Sequence, residues 1–286
     1  MSIVKKYKLW FSISIVVILI GIALFFYRGF NVGIDFVGGT TISIEIGKEF
    51  NKEEVDQILD KYSKDATSKQ VNGTQIEIRS KEFSTDKVKE FFGELKEKYG
   101  LEDSALLSQT EIGESVGKEL TTRALVAIII ATIFMLIYIV IRFEINFGIA
   151  AIIALIHDVL ITLSAYVIFF VPINSPFIAA ILTIVGYSIN DTIVIFDRIR
   201  ENKKLHLNKP DEYIADLSLR QSFVRCMNTS LTTIVIILAV YIFVPSVRDF
   251  SFPILIGMIS GTYSSLFIAT PIWVILNSKK SKKNKK

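Results

Sequence analysis

Between Ile178 and Arg200 the chain reads IAAILTIVGYSINDTIVIFDRIR. The run is apolar and long enough to cross a bilayer as a helix, yet Gly186, Tyr187, Ser188, Asn190 and Asp191 interrupt it. A carboxylate at hydrocarbon depth costs roughly 2.5–3.5 kcal/mol on insertion scales, so it is expected to face protein and to be paired or used there. On a helix Thr183, Tyr187, Asn190 and Asp191 share one face, which predicts a polar stripe turned inward from lipid. Asp191 lies about five residues, or roughly 7 Å, inside the end of its span. A buried carboxylate balanced between desolvation and a nearby cation can load and release a proton. The competing reading is a structural residue hydrogen-bonded to a neighbouring helix.

The rest of the composition agrees with a membrane setting. The chain has 286 residues, 51% of them hydrophobic, and a mean hydropathy of +0.49, high for a soluble globule. A single cysteine, Cys226, excludes an intrachain disulfide and reads as a small apolar filler. With two histidines beside it, a dedicated transition-metal site is not expected. The net charge of +4 hides an asymmetry. Arg28 to Arg123 holds 14 Lys and Arg against 19 Asp and Glu, leaving 18 against 9 elsewhere.

Working outward, Leu9 to Phe26 is a first apolar span behind a short basic start. No small-residue cleavage site follows, so it reads as a retained helix. Residues 28–122 are water-soluble in character. Thr40 to Ile46 alternates as a strand, and Asn51 caps a helix to about Tyr62. Strands near Thr67 to Val71 and Thr74 to Arg79 are joined by Asn72-Gly73, a hairpin signal. Ser84 caps a second helix ended by Gly100, and a last strand lies near Ala105 to Glu111. This β-α-β-β-α-β order predicts a ferredoxin-like α/β domain.

From Ala124 the apolar character returns. Spans are expected at Ala124 to Ile141, Gly148 to Val171, Phe177 to Phe196, Met227 to Val244 and Phe250 to Leu276. A basic connector, 197–226, separates the fourth and fifth, and its Asp211 to Phe223 stretch reads as an amphipathic helix on the membrane surface. The expected organisation is thus 1–27 (start and first helix), 28–122 (α/β domain), 123–277 (five further helices) and 278–286 (basic tail). The tail SKKSKKNKK is solvated, with contact to anionic headgroups as the alternative. The fold class is a mostly α membrane protein with six transmembrane helices. Short basic segments at Lys5, Lys6, Lys8, Arg142 and in the connector predict cytoplasmic termini and an extracytoplasmic α/β domain.

Signatures of soluble enzymes are absent: no G-x-x-x-x-G-K-[ST], H-E-x-x-H or G-x-S-x-G occurs. The chain is therefore not expected to be an enzyme, nor to carry a cofactor or metal. Candidates for ion handling remain. Arg225, Asn228, Thr229 and Thr232 fall on one face of the fifth span and look complementary to the Asp191 stripe, although Arg225 also suits an interfacial anchor. Asp158 in the third span is a second relay or a packing group, and His157 beside it reads as structural. Gly257, Gly261 and Ser264 form a small-residue packing face.

Three motifs carry a family resemblance: GIDFVGGT at Gly33–Thr40, IHDV at Ile156–Val159 and GYSINDTIVIFDRIREN at Gly186–Asn202. With the six-span layout they make the chain similar to SecF proteins of the SecD/SecF family, within the resistance-nodulation-division group. The resemblance implies an accessory subunit of the Sec protein translocase in the cytoplasmic membrane. With SecD it would use the proton motive force to promote preprotein translocation after an ATP-driven motor has acted. It implies proton movement through Asp191 and Arg225; the residues themselves add Asp158 as a further relay candidate and Tyr187, Ser188, Asn190, Asn228 and Thr229 as a supporting polar stripe. Gly33, Asp35, Phe36, Gly38 and Gly39 match the family's glycine motif. The implied partners are SecD, the SecYEG translocon, a YajC-like subunit and the translocating preprotein, and the coupling ion is H+. The competing readings are a stand-alone proton-coupled exporter of small molecules or lipids, and a non-transporting translocon assembly factor.

Overall fold

A computed structural model describes residues 3–283. The headgroup contact expected of the basic tail rests on side chains from 279 onward, which lie outside the described residues. In chain order the elements are α1 (Tyr7–Arg28), α2 (Ile34–Val37), β1 (Gly39–Glu45), α3 (Lys52–Tyr62), β2 (Thr67–Val71), β3 (Gln75–Ser80), α4 (Thr85–Tyr99) and β4 (Leu106–Ile112). They continue with α5 (Glu114–Arg142), α6 (Ile145–Phe169), α7 (Ser175–Leu205), α8 (Asp211–Phe243), α9 (Arg248–Ser264) and α10 (Thr270–Lys283). The chain divides into two units: residues 32–126, and residues up to 31 together with those from 127.

The smaller unit is an antiparallel sheet in the order β2-β3-β1-β4, the split βαβ arrangement its element order demands. Alternation puts Ile42 and Ile44 of β1 and Ile76 and Ile78 of β3 on the buried face. Val55, Ile58 and Leu59 of α3 and Val88, Phe91, Phe92 and Leu95 of α4 complete the core. Both caps form: Asn51 Oδ1 accepts from the Glu53 amide and Ser84 Oγ from that of Lys87. Asn72 and Gly73 both have positive φ, 52° and 81°, the backbone of a tight hairpin turn.

The GIDFVGGT motif folds into the short helix α2 followed by two glycines. Gly39 has φ of +141°, and a Cβ on it would lie 2.5 Å from the Ser80 carbonyl oxygen. Gly38, at φ +88°, lies against the start of α5 within the same unit. The double glycine is therefore a steric requirement of this unit's entry turn.

Among the described residues six helices are long and apolar enough to span a membrane. The third, fourth and sixth have 50%, 50% and 72% of their apolar windows buried, against 11%, 6% and 11% for the first, second and fifth. α6, α7 and α9–α10 thus form the centre and the others its flanks. Gly257 and Gly261 let α9 approach α7: Cβ atoms there would collide with Ile184 and Ser188. The last span is continuous from Arg248 to Lys283, with a π-helical turn at Ser265–Ala269.

Two expectations about the connector change. α7 runs to Leu205 and α8 starts at Asp211, so the loop between them is 206–210. The Asp211 to Phe223 stretch is no separate surface helix but the first turns of the fifth span. Its apolar face packs inward through Ile214, Ala215 and Leu219, and Asn202 Nδ2 donates to Ser218 Oγ and Gln221 Oε1, both at 2.8 Å. An amphipathic stripe reads the same whether it meets lipid or its own protein.

Candidate functional site: two buried carboxylates in the helix bundle

Asp158 is fully buried at 0% exposure. Its Oδ1 accepts from Ser260 Oγ at 2.7 Å and faces His157 Nδ1 at 3.0 Å. Its Oδ2 accepts from Ser188 Oγ at 2.6 Å and Ser264 Oγ at 2.7 Å. A carboxylate offers about four acceptor sites, and all are filled, by donors from α6, α7 and α9. Beyond it, His157 Nε2 meets Ser14 Oγ of α1 at 2.8 Å.

Asp191 is also buried, at 3% exposure, but its surroundings differ. It accepts from Ser230 Oγ at 3.0 Å and from the Cys226 thiol, both on α8. Thr262 Oγ1 donates in turn to Ser230 Oγ at 2.7 Å. Acceptor capacity therefore remains on Asp191. At the connector end of the bundle an open cavity of about 450 Å³ is lined by Asn190, Asp197, Arg200, Gln221, Ser222 and Arg225. Ser222, Cys226 and Ser230 recur every four residues on one face of α8, running from this cavity to Asp191.

The predicted stripes are rotated by about one residue. Thr183 and Asn190 are exposed, whereas Ser188, Asp191 and Thr192 are buried. Ser188 serves Asp158 rather than Asp191, and Thr192 meets Ser265 Oγ at 2.8 Å. Tyr187 donates to the Thr229 carbonyl at 2.9 Å and to Thr233 Oγ1 at 3.0 Å. Arg225 and Asn228 are exposed and Thr229 half-buried. Among the described residues no ion pair joins Arg225 to Asp191, although its charge acts on that carboxyl electrostatically. Gly33, Asp35, Phe36, Gly38 and Gly39 belong to the α/β unit, and Asp158 and Asp191 to the helical one. Asp158 and His157 are brought together with Ser188, but not with Asp191.

The residues that sequence reasoning missed are small: Ser14, Cys226, Ser230, Ser260 and Thr262. Their signal was hydroxyl spacing, with Ser260 and Ser264 at i and i+4 beside two glycines. That pattern reads equally as close packing, and α9 uses it for both purposes.

These features define a multi-pass helical membrane protein with a small α/β domain following its first span and buried acidic groups in its bundle. Residues 93–279 match the family described as "Protein export membrane protein SecD/SecF, C-terminal", and residues 23–49 the "SecD/SecF GG Motif". A protein translocase subunit SecF from Sebaldella termitidis is 37% identical over 100% of this chain and 95% of its own length. The SecDF subunit of Bacillus subtilis is 36% identical over 98% of this chain but 38% of its own length. The crystal structure of Thermus thermophilus SecDF, a translocon-associated membrane protein, superposes with a TM-score of 0.85 at 32% identity, covering 97% of this chain and 39% of the other. The chain belongs to the SecD/SecF family of protein export membrane proteins. It spans about two-fifths of the SecDF chains it matches.

Proposed function

We propose that this chain is a proton-driven subunit of the protein export machinery, with Asp191 as the group that loads and releases the proton. The observation carrying this reading is that Asp191 sits inside a membrane-spanning helix, is bound among the described residues by two side chains, and is linked by the Ser222–Cys226–Ser230 face to an open polar cavity. Arg225 at the cavity wall supplies a positive charge close enough to act on the carboxyl. Protonation would weaken that attraction and alter how α7 packs on α8. One charge crossing 100 mV supplies roughly 2.3 kcal/mol, about a fifty-fold shift of a two-state equilibrium.

The fused length of the SecDF relatives supports a SecD-like polypeptide as the second half of the working unit. SecYEG, a YajC-like subunit and the preprotein complete the proposed assembly, in the cytoplasmic membrane with both termini cytoplasmic. The reading assigns no enzymatic reaction and no cofactor; the coupling ion is H+. The test is export in inverted membrane vesicles. Asp191→Asn should abolish the gradient-stimulated component, a loss of tenfold or more, while gradient-independent export continues. Full stimulation in that variant would overturn the proposal.

A further inference from the structure

The open cavity at the connector end of the bundle carries more positive charge than the chain itself balances. Among the described residues its wall holds four guanidiniums, Arg142 at the end of α5, Arg198 and Arg200 on α7 and Arg225 on α8, against the carboxylates of Asp197 and Glu201. Adding buried Asp191 still leaves the cations in excess. Two of the guanidiniums are held side by side. Asp197 Oδ1 takes Arg200 Nη2 at 2.9 Å and Arg142 Nη2 at 3.7 Å. Arg200 Nη1 also donates to the Arg142 carbonyl at 3.4 Å. Both guanidiniums lie against the buried Phe143 ring, 5.8 Å and 5.6 Å from its centroid for Arg142 and Arg200. One shared carboxylate cannot neutralise two cations, so their mutual repulsion favours a further anion. Arg198 is matched by Glu201 at 2.9 Å, whereas Arg225 makes no ion pair or side-chain hydrogen bond among the described residues.

We propose that this cavity binds the headgroup of an anionic phospholipid, with Arg142, Arg200 and Arg225 as the groups that take its phosphate. Guanidinium forks match phosphate oxygens and give two parallel hydrogen bonds each. The cavity, about 450 Å³, is of the size that holds small ligands. Its depth suits a headgroup: Arg142 is the last residue of the second span, and basic pockets between helix ends are where anionic headgroups are caught. Apolar groups decide between a lipid and free phosphate. Ile193 and Val194 share the lining with the arginines. Ile141 and Val224, each the residue before a lining arginine, are exposed. Inorganic phosphate gains nothing from such surfaces, whereas the glycerol and acyl parts of a lipid do. The occupant also has a structural consequence. The second span has only 6% of its apolar window buried, so a lipid held between its last residue and α8 supplies a tie that protein packing does not.

The test uses the full-length chain in detergent, read by native mass spectrometry and by thermal unfolding, with phosphatidylglycerol, phosphatidylcholine or inorganic phosphate added. Phosphatidylglycerol should be retained about tenfold more than phosphatidylcholine and should raise the unfolding midpoint, and phosphate alone should not. Arg142→Gln and Arg200→Gln should each lower that retention about tenfold, the worth of a hydrogen bond between charged groups. Lys209→Gln, in the 206–210 loop outside the cavity lining, should leave it unchanged. Each variant's midpoint is compared with its own lipid-free value, so a substitution that weakens the fold still reports binding. Equal retention of the two lipids, an equal loss in Lys209→Gln, or no loss in either arginine variant would overturn the proposal. So would a midpoint raised as much by phosphate alone, which marks a free-anion site, or capture of an oligoglutamate peptide in place of lipid, which marks a protein partner. Export plays no part in the readout, so failure of the Asp191 reading leaves this one standing.

Discussion

At Asp191 and Asp158 the same side chain meets two different fates, and donor supply decides which. Asp158 is caged by three hydroxyls and an imidazole; Asp191 keeps acceptor capacity near a polar cavity. The acid in the fourth span was legible from the cost of a carboxylate in an apolar run. Its partners were not, because one residue's rotation on α8 exchanges Arg225 for Cys226, and a serine in a span carries no distinctive pattern. A third acid shows the same donor logic in water. Burial alone would push the Asp65 carboxyl up, but hydrogen bonds from Ser63, Ser80 and the Lys81 amide outweigh it and hold it below its ordinary range. A carboxyl lowered by folding stabilises the fold above its unfolded-state value and loses that contribution as pH falls through the folded one. Asp65→Asn should therefore loosen β3 at pH 7, and its deficit should shrink below about pH 4. Amide exchange of β3 in the intact chain reads this; a deficit independent of pH would contradict it.

Among the elements, those of the α/β unit were the most legible, since caps, alternation and the Asn72-Gly73 turn all point the same way. The bundle helices were recognised, but their ends were not: α5 starts ten residues before the expected Ala124, and α7 and α8 extend into the connector. Charged helical turns beyond the bilayer have no apolar signal, and contacts such as Asn202 with Ser218 fix them. The packing of α9 on α7 makes a sharper prediction. A Cβ at Gly261 would lie 2.9 Å from Ser188 Cβ, and Ser188 is a donor to Asp158. Gly261→Ala should cost about 1–3 kcal/mol through overpacking, seen as a lower unfolding midpoint in detergent. Gly186→Ala is the control, because a Cβ there meets nothing within 4 Å; equal losses in both would refute the packing argument.

For the whole molecule, orientation follows from where short basic segments lie, and the long α/β insertion does not vote in that rule. Lys64→Cys in the α/β unit and Lys209→Cys in the 206–210 loop, both exposed positions, test it. A membrane-impermeant thiol reagent applied to intact cells should label the first and spare the second, and the reverse pattern would invert the topology. The account finally stands on whether the Asp191 carboxyl takes up a proton. Infrared difference spectra of the full-length chain in lipid, recorded across a pH jump, read that event as a protonated-carboxyl C=O band. The band should vanish in Asp191→Asn and persist in Asp158→Asn; a band unchanged by Asp191→Asn would contradict the account.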